Sequence, residues 1–469
     1  MIQLPDLTSF PAAERFAIEL LTDLSRLVRV GAADVPVVRL VVETGGRAEE
    51  ARGLRAWVEG RWGIKAGEGE VRIPRGALRA ITAVAGVTAE QETDARDRHG
   101  RVPPERNALV AEGLERMPVV SAAGQAVADA ARRAAGRRPL RRLAPWPGGR
   151  RWAVALTHDL DVARWWPAFT ALRLAELARR GEWGRVAGVV AAASRALGSG
   201  PIAGALEELI AAEAARGLRS SWFVLCGTPT LGTMAAGDLT YHPEAPSTRR
   251  LLDAVIRTRG EIGLHGSFET FRSAQAFGRQ RERLGGLIDE DVAGVRQHFL
   301  RLRPGATQRA MAAAGFTYDA SVGFPDRNGF RQGLADIAPL WDQEGQRPLG
   351  IDEVPVVWMD RALSKYRGEE DPDRWVADGL ALADAARAVD GLWVGVWHPN
   401  LAPALGFPGA PAAYGRLLDG LCAREPCVAT VGDLVRWRRR RRAARAEHVG
   451  ADGAARVLAG GEPVELESP

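Results

Sequence analysis

From Arg151 onward, short apolar β-prone runs recur between longer Ala-, Leu- and Arg-rich stretches. This alternation is the sequence mark of a parallel α/β architecture, in which each strand is followed by a helical crossover. The candidate strands are RWAVALT (151–157), SWFVLC (221–226), EIGLH (261–265), GVRQHF (294–299), FTYDAS (316–321), DEVPVVW (352–358), GLWVGVW (391–397) and CVATV (427–431). Stretches such as PIAGALEELIAAEAARG have the period of helices packed outside a barrel. Seven or eight βα units fit the length.

At 469 residues the chain is too long for one ordinary core. Its first part mixes helical patterns such as AAERFAIELLTDLSRLV with a β-rich run, VPVVRLVVE, and carries no chemical motif. It ends in RRPLRRLAPWPGGRR, a basic, Pro-rich stretch of the kind that separates domains and is open to proteases. The expected organisation is therefore an accessory α+β domain over residues 1–140, a catalytic barrel over 150–437 and a basic, loosely ordered tail over 438–469. Trp57, Trp62 and Trp146 could stack on sugar rings, although buried structural tryptophans are the more common case.

The net charge of +5 is local, because Arg436, Arg438 to Arg442 and Arg445 supply seven positive charges and leave the rest at −2. That run reads as the solvated end of a last helix, so no nucleic-acid partner is expected. The start carries Asp6, Glu14 and Glu19 with no apolar segment behind a basic one, and no stretch of about 20 apolar residues occurs. A cytoplasmic protein without a membrane span is expected. Cys226, Cys422 and Cys427 form neither a disulfide framework nor a CxxC pair.

Four of the seven histidines lie in or just after the predicted strands: His158, His265, His298 and His398. In an α/β barrel the C-terminal strand ends and the loops beyond them form the active site. In Thr157-His158-Asp159-Leu160-Asp161 the two aspartates share a face of an extended chain and invite a cation, or else cap the following helix. In the run Glu261 to Thr270, His265 ends a strand and its imidazole suits a metal such as zinc, or a simple turn. Arg296 and His298 again share a face, and a planar guanidinium there can hold a catalytic carboxylate or close an ion pair at the rim. Trp397 and His398 end the hydrophobic run Leu392 to Pro399, where a histidine can protonate a leaving amine or sit buried against a backbone partner. Together, in this order in one region, they point to a catalytic site.

With those residues assembled, residues 151 to about 437 resemble the polysaccharide deacetylases (NodB homology, carbohydrate esterase family 4), in a divergent bacterial branch whose first motif reads THDxD. The resemblance implies a distorted (β/α)7 barrel and a hydrolase that removes an N-acyl group from an amino sugar with a divalent ion, Zn2+ foremost. It further implies that Asp159 is the general base, Asp161 and His265 are metal ligands, Arg296 orients the base and His398 is the general acid. Arg331, Asp360 and Trp397 are expected to line the substrate groove. Where the family's second motif has a further histidine, this chain has Glu269, so either Glu269 or His298 completes the metal site, and His298 is the preferred one. The expected partner is a carbohydrate, an amino-sugar polymer or a lipid-linked sugar. The competing readings are a metal-dependent amidohydrolase of a non-sugar amide and a carbohydrate-binding pseudoenzyme.

Overall fold

The run AVALTHDL forms strand β1, Ala153–Leu160, and all eight of its residues are buried. A strand buried on both faces belongs inside a layered α/β structure. The other predicted runs supply β2 Ser220–Leu225, β3 Glu261–Gly266, β4 Gly294–Gln297, β5 Tyr318–Asp319 and β7 Leu392–Val396, while β6, Arg347–Glu353, shares only Asp352 and Glu353 with the run predicted over 352–358. In this computed structural model, which describes residues 1–30, 37–45, 52–138, 140–163, 167–199, 203–235, 237–449 and 455–467, these strands pair in parallel in the order β6-β5-β4-β3-β2-β1-β7.

The chain beyond β6 closes the ring. Val354 N–H donates to Asp319 O at 2.8 Å and Val356 N–H to Val322 O at 3.2 Å, both beside β5. On the other side, Val357 N–H donates to Val394 O at 3.0 Å and Trp358–Met359 pairs with β7. Seven parallel strands, the sixth of them interrupted, thus make a distorted barrel, as the sequence predicts. The eighth predicted run is reduced to Cys427–Val428, which pairs with the foot of β1. An unpredicted strand, Ala338–Asp342, pairs antiparallel with β6 as the outer leg of a hairpin.

Period-two alternation sorts the strand side chains. Ala153, Ala155, Phe223, Tyr318, Leu392 and Val394 fill the barrel interior, while Val154, Leu156, Trp222, Val224 and Trp393 pack outward under the helices. Val431, Leu434 and Val435 of the helix Val431–Ala443 join the interior cluster and plug its N-terminal end. Gly294 is required by this packing, since a Cβ there would lie 1.9 Å from the Tyr318 ring. With that end filled, the side chains that can face a cavity lie at the C-terminal strand ends.

Residues 1–138, expected as an accessory domain, pack against the barrel region. Their core includes Leu334, Ala338 and Trp341 from the barrel region. The tail expected to be loosely ordered instead supplies strands Arg445–Val449, Ala455–Ala459 and Glu462–Pro463, which extend the N-terminal sheet beyond Arg29–Val30. Among its described residues the connector is exposed only at its two ends, Arg137–Arg138 and Gly148–Arg151, while its middle is held: Arg142 bridges Leu27, Leu143 bridges Leu466, and Trp146 is buried with its indole N–H on Asp390 O at 2.9 Å. Trp57 and Trp62 are buried as well, which leaves none of the three for sugar stacking.

The arginine run is likewise not a solvated helix end. Arg438 and Arg441 are 1% and 3% exposed and both pair with Asp336, while Arg439 and Arg442 pair with Asp352 and Arg442 also with Asp23. No helix among the described residues is long and apolar enough to cross a membrane.

Candidate active site

Three inward positions of β1 and the residue after its end lead to the open end of the barrel: Ala155, Thr157, Asp159 and Asp161. His158 and Leu160 point the other way. His158 donates from Nδ1 to Trp397 O at 2.8 Å and meets Glu213 at 2.7 Å through Nε2, so it is a buried outer-layer residue. Asp159 and Arg296 form a buried pair: Arg296 Nη1 donates to Asp159 Oδ1 at 2.7 Å and to Thr157 Oγ1 at 2.9 Å, and its Nε donates to Ala320 O at 2.7 Å. The guanidinium also lies over the Phe223 ring at 4.2 Å. Burial pushes the Asp159 carboxyl up, but Arg296, His265 and His398 outweigh it and hold it below the usual carboxylate range.

Asp161, His265 and His298 converge, with one donor atom of each lying within 4.8 Å of the others. Asp161 Oδ1 sits 3.4 Å from His265 Nε2 and 3.3 Å from His298 Nε2. His265 Nδ1 donates to Arg296 O at 2.9 Å and His298 Nδ1 to Asp238 Oδ1 at 2.7 Å. Carbonyl and carboxylate oxygens only accept, so both Nδ1 atoms carry the hydrogen and both Nε2 atoms are left as ligands. Asp161 Oδ1 is buried without a hydrogen-bond partner. An orphaned carboxylate oxygen facing two imidazole lone pairs fits a divalent cation, and three protein ligands with an open position is the arrangement of a catalytic zinc site.

The charges agree with this. Burial would raise Asp161, but the two histidines beside it hold it well below its ordinary value. Burial would lower His298, yet Asp161 and Asp238 bring it up to about 9 without a metal. After His298 the backbone turns through left-handed conformations at Phe299 and Leu300, with φ of 60° and 50°. Such residues are uncommon outside glycine and cluster at functional sites. The turn stacks the Phe299 ring on His298 at 4.1 Å.

His398 follows β7. Its backbone N–H donates to Asp360 Oδ2 and its Nδ1 to Asp360 Oδ1, each at 2.6 Å. Its Nε2 faces the aspartates, 3.9 Å from Asp159 Oδ2 and 3.8 Å from Asp161 Oδ2. Burial lowers the imidazole pKa, but Asp360, Asp161 and Asp159 outweigh it and raise it. Asp159, Asp161, His265, His298 and His398 face one cavity of about 620 Å³, with Arg296 and Asp360 buried behind them.

Four expected assignments are corrected. Glu269 is 80% exposed and paired with Arg301 at 3.1 Å, outside the cluster that Asp161, His265 and His298 form. Arg331 is buried and holds Glu90 through both carboxylate oxygens, with Nη1 on Gly323 O at 2.6 Å. Trp397 packs outward against Trp358, Trp375 and Tyr414, because neighbours in a strand take opposite faces and His398 takes the inner one. Asp360 is fully buried and spends both oxygens on His398, so it positions that residue and has none left for substrate.

Sequence reasoning missed Asp238, Arg361 and Lys365, and the contribution of His99 and Arg101 from the N-terminal region, all of which line the cavity. The signal for Asp238 is indirect: a ligating histidine needs an acceptor on its other nitrogen.

No family model matches this chain, and no curated protein matches it. Solved structures do. A protein of Mycobacterium smegmatis assigned as a polysaccharide deacetylase aligns with 63% of this chain and 92% of its own, at 20% identity and a TM-score of 0.42. One from Pseudomonas aeruginosa PAO1 with the same assignment covers 65% and 96%, at 16% identity and 0.41. Puue allantoinase covers 64% and 94%, at 15% identity and 0.41.

Proposed function

We propose that this chain is a divalent-metal-dependent hydrolase that removes an N-acyl group, N-acetyl foremost, from an amino sugar in a polysaccharide or an intermediate of its synthesis. One observation carries the reading: a two-histidine, one-carboxylate cluster shares its cavity with a carboxylate held by arginine and a histidine held by aspartate. Binding a sugar needs neither a base nor an acid. The sugar as acyl acceptor follows from the resemblance of the THDxD motif and its companions to polysaccharide deacetylases.

Asp161, His265 and His298 would hold the ion, which we read as zinc from its donor set. The chemistry it supplies is polarisation of the acyl carbonyl and acidification of water. Asp159 is placed to take the proton of that water on Oδ2, because Oδ1 is engaged by Arg296. His398, with Nδ1 committed to Asp360, presents Nε2 and gives a proton to the departing amine.

The test is acetate release from N-acetylated oligosaccharides and lipid-linked sugars by zinc-loaded protein. Asp159→Asn and His398→Ala should each lower kcat about 10²–10⁴-fold while metal stays bound, the usual contribution of a positioned proton-transfer group. Wild-type turnover in both variants overturns the mechanism.

A further inference from the structure

The segment after Trp358–Met359 does more than hold His398. Asp360 is followed by Arg361 and a π-helical turn, Ala362–Arg367, a rare geometry found most often at functional sites. Arg361 and Lys365 line both the main cavity and an adjoining one of about 280 Å³, as does Asn400. Ser364 lines the second.

These groups have donors to spare. Among the described residues neither Arg361 nor Lys365 makes a hydrogen bond or ion pair; Arg361 lies over the Phe407 ring at 5.8 Å, and Lys365 over the rings of Phe299 and Tyr366 at 5.7 and 5.5 Å. The carboxylates nearby are engaged elsewhere: Asp360 by His398, Asp97 by Arg101, and Glu370 by Arg173, Arg180 and Arg185. The Ser364 hydroxyl oxygen and Asn400 Oδ1 are buried without a hydrogen-bond partner. A carboxamide that finds no donor at its oxygen can be turned to present its N–H₂ group instead. Two cations without a direct ion pair, a free hydroxyl and a free carboxamide therefore meet on the wall shared by the two cavities. Burial also draws the basic groups of Arg361 and Lys365 below their ordinary values, and the more distant Asp360 and Asp161 offset this only in part.

We infer that this wall, formed by Arg361, Ser364, Lys365 and Asn400, is an anion subsite that binds a phosphate or carboxylate group on the substrate. This rests on the proposed deacylation, which places the acyl group at the neighbouring metal cluster, and it narrows the substrate to an acidic amino sugar or a sugar phosphate. Arginine and serine together give the forked and single donors that such groups take up.

The test is calorimetric titration of full-length protein, zinc-loaded and chelator-stripped, with N-acetylglucosamine, N-acetylglucosamine 1-phosphate and N-acetylmuramic acid. At least one charged sugar should bind about tenfold tighter than the neutral one, and the preference should survive metal removal and shrink with added salt. Arg361→Gln/Lys365→Gln should abolish the preference and leave neutral-sugar affinity unchanged, and charge-preserving Arg361→Lys/Lys365→Arg should retain most of it. Equal affinity for all three sugars, a preference lost on stripping the metal, or one unchanged in the Gln double variant overturns the subsite. Whether phosphate or carboxylate is bound tighter identifies the substrate class. Because titration needs no turnover, an intact preference without acetate release overturns the deacylation reading alone.

Discussion

Removing the guanidinium beneath Asp159 probes the site where its energetics are most exposed. Arg296 is fully buried and is the one described residue from which the Asp159 carboxylate accepts a hydrogen bond. Arg296→Ala leaves a buried carboxylate without its counter-charge, which costs about 3–5 kcal/mol. His265 and His398 Nε2, each 3.9 Å from Asp159 Oδ2, offset part of this, so the lower end, about 3 kcal/mol, is expected. Urea unfolding of chelator-stripped protein at neutral pH reads that difference.

The pH dependence carries the sharper test. In the wild type Asp159 lies below its unfolded value, so its contribution to stability is present above about pH 4 and is lost as the pH falls through the folded pKa. In Arg296→Ala burial acts with much less opposition and lifts the carboxyl above its unfolded value. Its contribution then has the opposite sign, costing stability as the pH rises above about 4. The gap between wild type and variant should therefore be widest near pH 7 and close toward pH 4, by up to about 1.4 kcal/mol per unit. Arg296→Ala/Asp159→Asn should recover most of the loss, because a neutral carboxamide needs no counter-charge. A gap that does not change with pH, or a double variant no more stable than the single, refutes the reasoning.

Elemental analysis should find that His265→Ala and His298→Ala each lose the divalent ion while Glu269→Ala keeps it at wild-type stoichiometry, since Glu269 stands outside the cluster. Asp238→Asn should weaken metal binding about 10–100-fold in a chelator competition, with the fold intact, because it loosens the partner of His298 Nδ1. Truncation after Trp437 should give an unstable protein by thermal melting, as it removes Arg438, Arg441 and Arg442 with their buried partners uncompensated. Limited proteolysis of the intact chain should spare residues 142–146, and early cleavage there would contradict the buried middle of the connector.

What the sequence disclosed follows from period two. Alternation along THDLD places Asp159 and Asp161 together, and alternation along GVRQH pairs Arg296 with His298, so the face that lines the candidate site can be read without a structure. The same rule read strictly at Trp397-His398 puts the tryptophan on the outer face, as found. Glu269 failed for a different reason: the chain leaves the strand at Gly266, and four residues beyond His265 its direction is set by a short turn that no periodicity predicts. Arg331 was illegible because its partner Glu90 lies 241 positions away, in a region that offers no motif. An arginine facing a groove and one closing a buried ion pair have the same local sequence.

The arginine run shows this limit at larger scale. Seven charges in ten residues read as a solvated face, yet the helix that carries them plugs one end of the barrel, and four of them are matched by Asp336, Asp352 and Asp23. These aspartates come from the barrel region and the N-terminal helix Ala12–Ser25, so the run ties the two together from within. Asp390 does the same nearby, accepting from Arg26 and Arg151 while its backbone oxygen takes the Trp146 indole N–H. The N-terminal region is thereby fixed at the closed end of the barrel, and it also reaches the open end. There Arg101 donates to Tyr366 at 3.0 Å and His99 stacks on Phe299 at 5.4 Å. Both residues line the cavity shared by Asp161, His265 and His298, and Arg101 is held there by Asp97. A region without any catalytic motif is thus part of the cavity, and its anchoring belongs to the site's construction.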